Sequence, residues 1–203
     1  MLYLIIIGVA IIVITAANLL FALPITVADA LMMLLSVTVG AVAAFAIDGI
    51  SALIIRRLTP KKWYADGKRI FTVSKREKNF YNKLHIKAWK DKIPELGGFT
   101  SFHKDKLESV SDADYLRRFI LEANFGVVIH IANSLLGVLV AFVPLCHSPS
   151  VWIPVFAVNF ILSLLPVAVL RYTSYYLLRM LKRSESRSRD AGDTRDANLQ
   201  DPF

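Results

Sequence analysis

Apolar positions in this chain come in long blocks, not in amphipathic stripes. From Met1 to Ile55 there is no lysine, arginine or glutamate, and the only charged side chains are Asp29 and Asp48. A bilayer core of ~30 Å takes about 20 apolar residues at about 1.5 Å rise each. The first block therefore predicts a spanning helix from about Leu2 to Leu23. Pro24 breaks it, and Leu23 to Thr26 makes a tight turn. A second span follows from about Val27 to Ile55 and ends at Arg56 and Arg57, with Asp29 near its start as a helix cap. Two more blocks, from about Asn124 to Leu145 and from about Val151 to Leu170, predict a second hairpin closed by His147 to Ser150.

Between the hairpins the pattern changes. Residues 56–120 hold seventeen Lys and Arg against eight Asp and Glu, a net charge of 17 − 8 = +9. Trp63, Tyr64, Phe71, Phe80, Tyr81, Trp89, Phe99 and Phe102 are interspersed, which a disordered basic linker would lack. The expectation is a folded or interfacial segment on the headgroups, helical from Asn82 to Lys92. Pro94 and Gly97–Gly98 punctuate it, and Ser111 to Asp114 can cap a further helix from about Tyr115. The fourth helix is expected to run on toward Met180, and the Ser, Arg and Asp-rich tail from Lys182 to be disordered.

The expected fold class is thus an all-α integral membrane protein. Four transmembrane helices form two hairpins, with a basic amphipathic cytoplasmic segment between them. The expected units are residues 1–55, 56–120 and 121–181, with a tail over 182–203. With no basic residue before its apolar run, the first helix is read as retained and not as a signal peptide. All Lys and Arg lie in the central segment or at and beyond Arg171, so the positive-inside rule puts both termini in the cytoplasm of a multi-pass cell-membrane protein.

Composition agrees with this reading. Hydrophobic residues make up 55% of the chain, above a globular norm of roughly 45–50%. Mean hydropathy is +0.51. The net charge of +8 fits nucleic acid or an anionic membrane. Beside membrane spans, and without a nucleic-acid-binding motif, the partner expected is lipid headgroups and not nucleic acid. The single cysteine, Cys146, excludes an internal disulfide and a thiolate cluster, and a packed thiol is expected there. No metal-ligand cluster and no nucleotide-binding glycine loop is present, so no bound cofactor is expected.

An ionisable group inside a span costs roughly 2.5–3.5 kcal/mol, so each asks for a reason. Asp48 and His130 stand out, both about 10 Å inside the basic face. A carboxylate beside an imidazole at that depth is an arrangement for activating a hydroxyl. A structural hydrogen bond between helices is the plainer alternative. Glu122 lies two turns before His130, too far to touch it but able to face the same cleft. It reads equally as a solvated carboxylate at a helix start. Asn133 and Asn159 are expected to bond between helices. Arg171, where the fourth span leaves the membrane, either snorkels or holds an anionic group. His103 and Glu108 match an acyltransferase-like His-x4-acid spacing only weakly among ordinary solvated charges.

The stretch Phe80 to Glu95 contains Lys87, Trp89, Lys90, Asp91, Pro94 and Glu95 in a KxWKDxLPE-like order. It resembles the motif of the glycosyl-4,4′-diaponeurosporenoate acyltransferases, small bacterial membrane proteins of carotenoid biosynthesis. Tyr115 to Glu122 followed by His130, and Pro166 with Arg171 and Tyr172, are similar to further blocks of that family, so the likeness covers roughly Lys61 to Lys182. Phe125, Gly126, Val127, Leu170, Thr173 and Ser174 stand where the family tends to carry polar groups. The resemblance implies transfer of a fatty acyl group to a sugar hydroxyl of a glycosylated, carotenoid-like lipid at the cytoplasmic face. His130, Glu122, Asp48 and Asp91 are the catalytic candidates. Trp89, Lys90, Lys87, Glu95, Arg171 and Tyr172 are the candidates for binding substrate, with acyl-CoA or acyl-carrier protein as co-substrate. The alternative is a non-catalytic lipid-binding or assembly partner of another membrane enzyme.

Overall fold

The computed structural model describes residues 2–21, 26–65, 68–93 and 112–199, and the side chains within them apart from those of Leu2, Lys92 and residues 188–199. Six α-helices and several 3₁₀ turns account for these residues, without a β-strand among them. Helix α1 is Leu2–Phe21, and α2 is Val27–Leu58. The short α3 (Lys75–Lys83) and α4 (Ile86–Trp89) follow, then α5 (Ala113–Leu136) and α6 (Pro149–Leu199). Among the described residues, four stretches are long and apolar enough to cross a membrane: Tyr3–Phe21, Val27–Leu58, Ala113–Phe142 and Pro149–Arg187. Leu4, Ile12, Val13, Leu20, Leu31, Val42 and Leu53 are all largely exposed, as lipid-facing side chains are. The protein is an all-α, multi-pass membrane protein.

Each helix start has its own local cause. Thr26 caps α2 in a reciprocal box with Asp29: the Asp29 N–H donates to Thr26 Oγ1 at 3.2 Å, and the Thr26 N–H to Asp29 Oδ2 at 3.0 Å. Asp112 caps α5, accepting from the N–H groups of Asp114 and Tyr115.

Lipid tails are as apolar as leucine, so close packing and interhelical hydrogen bonds hold spans together. The α5–α6 seam shows the packing. Ala123, Val127 and Leu170 interlock, and Leu170 Cδ1 sits 2.7 Å from where a Cβ on Gly126 would lie. Toward the basic end, Leu116, Phe119 and Ile120 bury against Leu177 and Leu181. At the far end Ile14, Val37, Val140, Cys146, Val151 and Val155 form a closed cluster. Cys146 is buried there as expected, its thiol donating to the Ser36 carbonyl at 3.3 Å.

The segment after α2 is folded onto the helices. Tyr64 stacks on Phe125 of α5 at 3.8 Å between centroids, and its carbonyl accepts from Asn124 Nδ2 at 2.8 Å. Fully buried Ile86 packs with Val73, Tyr81 and Tyr172 of α6.

Two expectations are corrected. A single helix over Asn82–Lys92 is not formed: His85 is left-handed, with φ 53°, and separates α3 from α4. That conformation cannot continue a right-handed helix. The turn aims Ile86 and Trp89 at α6. The tail expected to be disordered from Lys182 is helical over its described part, since α6 continues to Leu199, and residues 200–203 lie outside the described residues. Its extension is tied to α5 by an Arg117–Glu185 ion pair at 2.8 Å, with Ser184 buried beside it.

Candidate functional site

A cavity of about 570 Å³ lies between α1, α2, α5 and α6. It is walled on α2 by Val37, Ala41, Ala44, Asp48, Ala52 and Arg56, successive steps of three or four residues along one helix face. On α1 the same spacing brings in Tyr3, Ile7, Ala10 and Ile14.

Most polar groups of the cavity fall at two levels, with Tyr3 and Ser163 as the other polar side chains on its wall. Arg56 and Lys90 stand at the basic end. About 12 Å further in, two turns along α2 from Arg56, come Asp48, His130, Asn133 and Asn159. Asn159 Nδ2 reaches both Asp48 Oδ1 and the Asn133 carbonyl, at 3.4 Å each. The Ser51 hydroxyl donates to Asn133 Oδ1 and to the Asp48 carbonyl. These bonds link α2, α5 and α6 at one depth, so the asparagines do bridge helices as expected. Gly137 lets this happen: a Cβ there would fall 2.6 Å from Asn159 Nδ2. Pro166, also on the wall, has no N–H and so leaves the Leu162 carbonyl without its helical donor.

The structure separates the sequence candidates into groups. Asp48, His130 and Lys90 share the cavity. Glu122 does not line it. Glu122 holds Arg56, Oε2 to Nη2 at 3.0 Å, and the Arg56 guanidinium also lies 5.6 Å from the centre of the Phe125 ring. The expectation that Glu122 faces the cleft is therefore corrected: it reaches the cavity only through Arg56. Asp91 is 80% exposed and pairs with Lys90 at 2.7 Å. Lys87 is exposed. Trp89 packs onto the buried group around Tyr172, its indole N–H donating to the Leu84 carbonyl at 2.9 Å.

Arg171 and Tyr172 are structural in their contacts. Arg171 grips Glu77 with Nε at 2.5 Å and Nη2 at 2.9 Å, and Nη1 donates to the Ile70 carbonyl at 3.1 Å. The guanidinium holds the Glu77 carboxyl below the usual carboxylate range. Tyr81 donates to the same carboxylate at 2.8 Å, and burial with that contact pushes its phenol up to about 12. Buried Tyr172 meets Tyr176 through their hydroxyls at 3.3 Å. Pro94, Glu95, His103 and Glu108 lie outside the described residues, as do residues 22–25 of the expected first turn.

Sequence reasoning missed Arg56, Glu77, Tyr3 and Ser51. Of these, Arg56 carried a readable signal, as a cation ending a span that contains an acid two turns earlier. Glu77 had none, because its partner is distant in the chain.

No curated protein and no solved structure matches the chain. The glycosyl-4,4′-diaponeurosporenoate acyltransferase family profile matches residues 60–183, well over half of the chain and including α3 to α5 and most of α6, and the protein belongs to that family.

Proposed function

We propose that this protein is an acyltransferase that moves a fatty acyl group from an anionic thioester donor, acyl-CoA or acyl-carrier protein, to a hydroxyl of a glycosylated, carotenoid-like lipid. The observation that carries the proposal is the order of groups along one cavity: cations at the basic end, an imidazole and carboxylate within, and apolar depth beyond. That order matches the phosphate, reacting carbonyl and hydrocarbon chain of such a donor. The lysine- and arginine-rich segment and tail support a cytoplasmic position for this end under the positive-inside rule.

In the reaction the acceptor hydroxyl oxygen attacks the thioester carbonyl carbon as His130 takes its proton. The tetrahedral oxyanion collapses, the carbon–sulfur bond breaks, and the thiolate leaves with the proton that His130 returns. Asp48, at the same depth, favours the charged imidazolium in between. The two long bonds of Asn159 leave its amide able to turn toward the developing oxyanion. Arg56 and Lys90 attract the donor's phosphates.

Lipid extracts of cells expressing the protein or its His130→Ala variant test this reading. The acylated glycolipid is expected with the wild type and absent with the variant, at equal protein level. Undiminished product with the variant removes His130 as the base. A profile unchanged by the wild type itself favours a non-catalytic, lipid-binding role.

A further inference from the structure

We infer that the closed end of the cavity measures the acyl chain of the donor, with Ala41, Val37 and Ile14 setting the chain length transferred. The inference rests on the acyltransferase reading and adds to it a specificity that the family match does not supply.

Beyond Asp48, the groups on the cavity wall from α1 and α2 are apolar: Ile7, Ala10, Ile11 and Ile14, and Val37, Ala41, Ala44 and Phe45. Nothing polar on these two helices competes for the space, so the deep part suits a hydrocarbon and not a sugar. The far end is shut. Val37 has no exposed surface, and Ile14 and Val155 are nearly as buried. All three belong to the cluster that Val140, Cys146 and Val151 complete behind them. Along α2 the reach from Asp48 to Val37 is about 16 Å at ~1.5 Å per residue. Half of a ~30 Å hydrocarbon core is about 15 Å, the depth that a single leaflet's acyl chain fills. The space between the polar level and the closed end therefore accepts one extended long-chain acyl group and stops it.

Space in this stretch depends on small side chains. Ala41 and Ala44 stand between Val37 and Asp48 on the wall, Ala10 faces from α1, and Ala41 is itself half-buried. A leucine at position 41 would project into the path of the chain. Removing two γ-methyls from Val37 would deepen the closed end. Denying burial to two methylenes alters preference about tenfold.

The test is a competition. Membranes containing wild type, Ala41→Leu or Val37→Ala are given an equimolar mixture of saturated acyl-CoA thioesters of graded length, and the acyl composition of the product lipid is read by mass spectrometry. Ala41→Leu is expected to shift the ratio of short to long product about tenfold toward the shorter chains, and Val37→Ala to shift it toward the longer. Unchanged product distributions in active variants overturn the inference while leaving the acyltransferase reading intact. Absence of acylated product with wild type and every donor overturns the reading itself. Should Ala41→Leu fail to accumulate, Val37→Ala decides alone: a longer product supports the measure, and an unaltered one removes it.

Discussion

Truncating Arg171 is expected to free the α3–α4 segment from α6 rather than to weaken donor binding. Arg171 makes two charged hydrogen bonds to Glu77 and one to the Ile70 carbonyl, and the two side chains are only 19% and 26% exposed. Hydrogen bonds to charged groups are worth about 1.5–3 kcal/mol, and little of this is lost to solvent screening when both partners are mostly covered. Taking about 2 kcal/mol, the population in which Lys75 to Lys87 swings away rises about 30-fold in Arg171→Ala. When reclosing outpaces cleavage, proteolysis follows that population. Tryptic cleavage between Lys75 and Lys87 in detergent should accelerate by the same factor. Glu77→Ala should do the same, and the double variant should be little worse than either alone. Additive effects, or a cleavage rate within twofold of wild type, would refute the strut. A raised KM for donor with unchanged cleavage would restore Arg171 to the binding site. The pH dependence has a definite sign. Because Glu77 is held below its ordinary value in the folded protein, its contribution is present above the unfolded carboxyl value and disappears as pH falls through the folded one. Protection factors at the α3 amides, after correction for the intrinsic pH dependence of exchange, should thus be flat from neutral pH down to about 5 and fall below about 4.

Gly137→Ala should disturb the polar level without touching its side chains directly, because the new methyl needs the space of Asn159 Nδ2. We expect turnover to fall about tenfold with KM within about twofold and helicity by circular dichroism retained, the pattern of an interaction made mainly in the transition state. Full turnover would mean that the place of Asn159 does not matter. Cys146, buried in the far cluster, should resist a membrane-permeant maleimide in the native protein and react fully once denatured. Rapid native labelling would show that the cavity's far end is open.

Much of the fold was legible because a bilayer leaves the backbone few choices. A chain surrounded by lipid must satisfy its own N–H and C=O groups, so apolar blocks such as Leu2 to Phe21 can only be helices. Their limits were displaced by a few residues where polar caps or neighbouring packing decided, as at Leu58 rather than Ile55. Counting along two helices led to the expectation of Asp48 and His130 at one depth, and both line the cavity. What could not be read was the pairing of polar groups between distant segments. Glu77 meets Arg171, and the Tyr64 carbonyl meets Asn124, because folding brings α3 and the chain after α2 against α5 and α6. No local pattern encodes those contacts. The same holds for His85, whose left-handed turn answers to the docking of Ile86 and not to any helix-breaking residue beside it.

The cations show why partner identity matters more than charge count. Sequence offered Lys87, Lys90 and Arg171 as equal candidates for an anionic donor. The fold makes them unequal. Arg171 would have to leave a covered carboxylate that it grips twice, and Lys87 is absent from the cavity wall. Lys90 is paired too, but with Asp91, a carboxylate 80% exposed to solvent. Exposed ion pairs are worth about 0–1 kcal/mol, so Lys90 can exchange that partner for a phosphate at little cost. Arg56 keeps Glu122 and still borders the cavity with a guanidinium that has donors to spare. On the proposed acyltransferase reading, the cationic end of the site is therefore assigned to Arg56, at the end of α2, and Lys90, just after α4, both of which line the cavity.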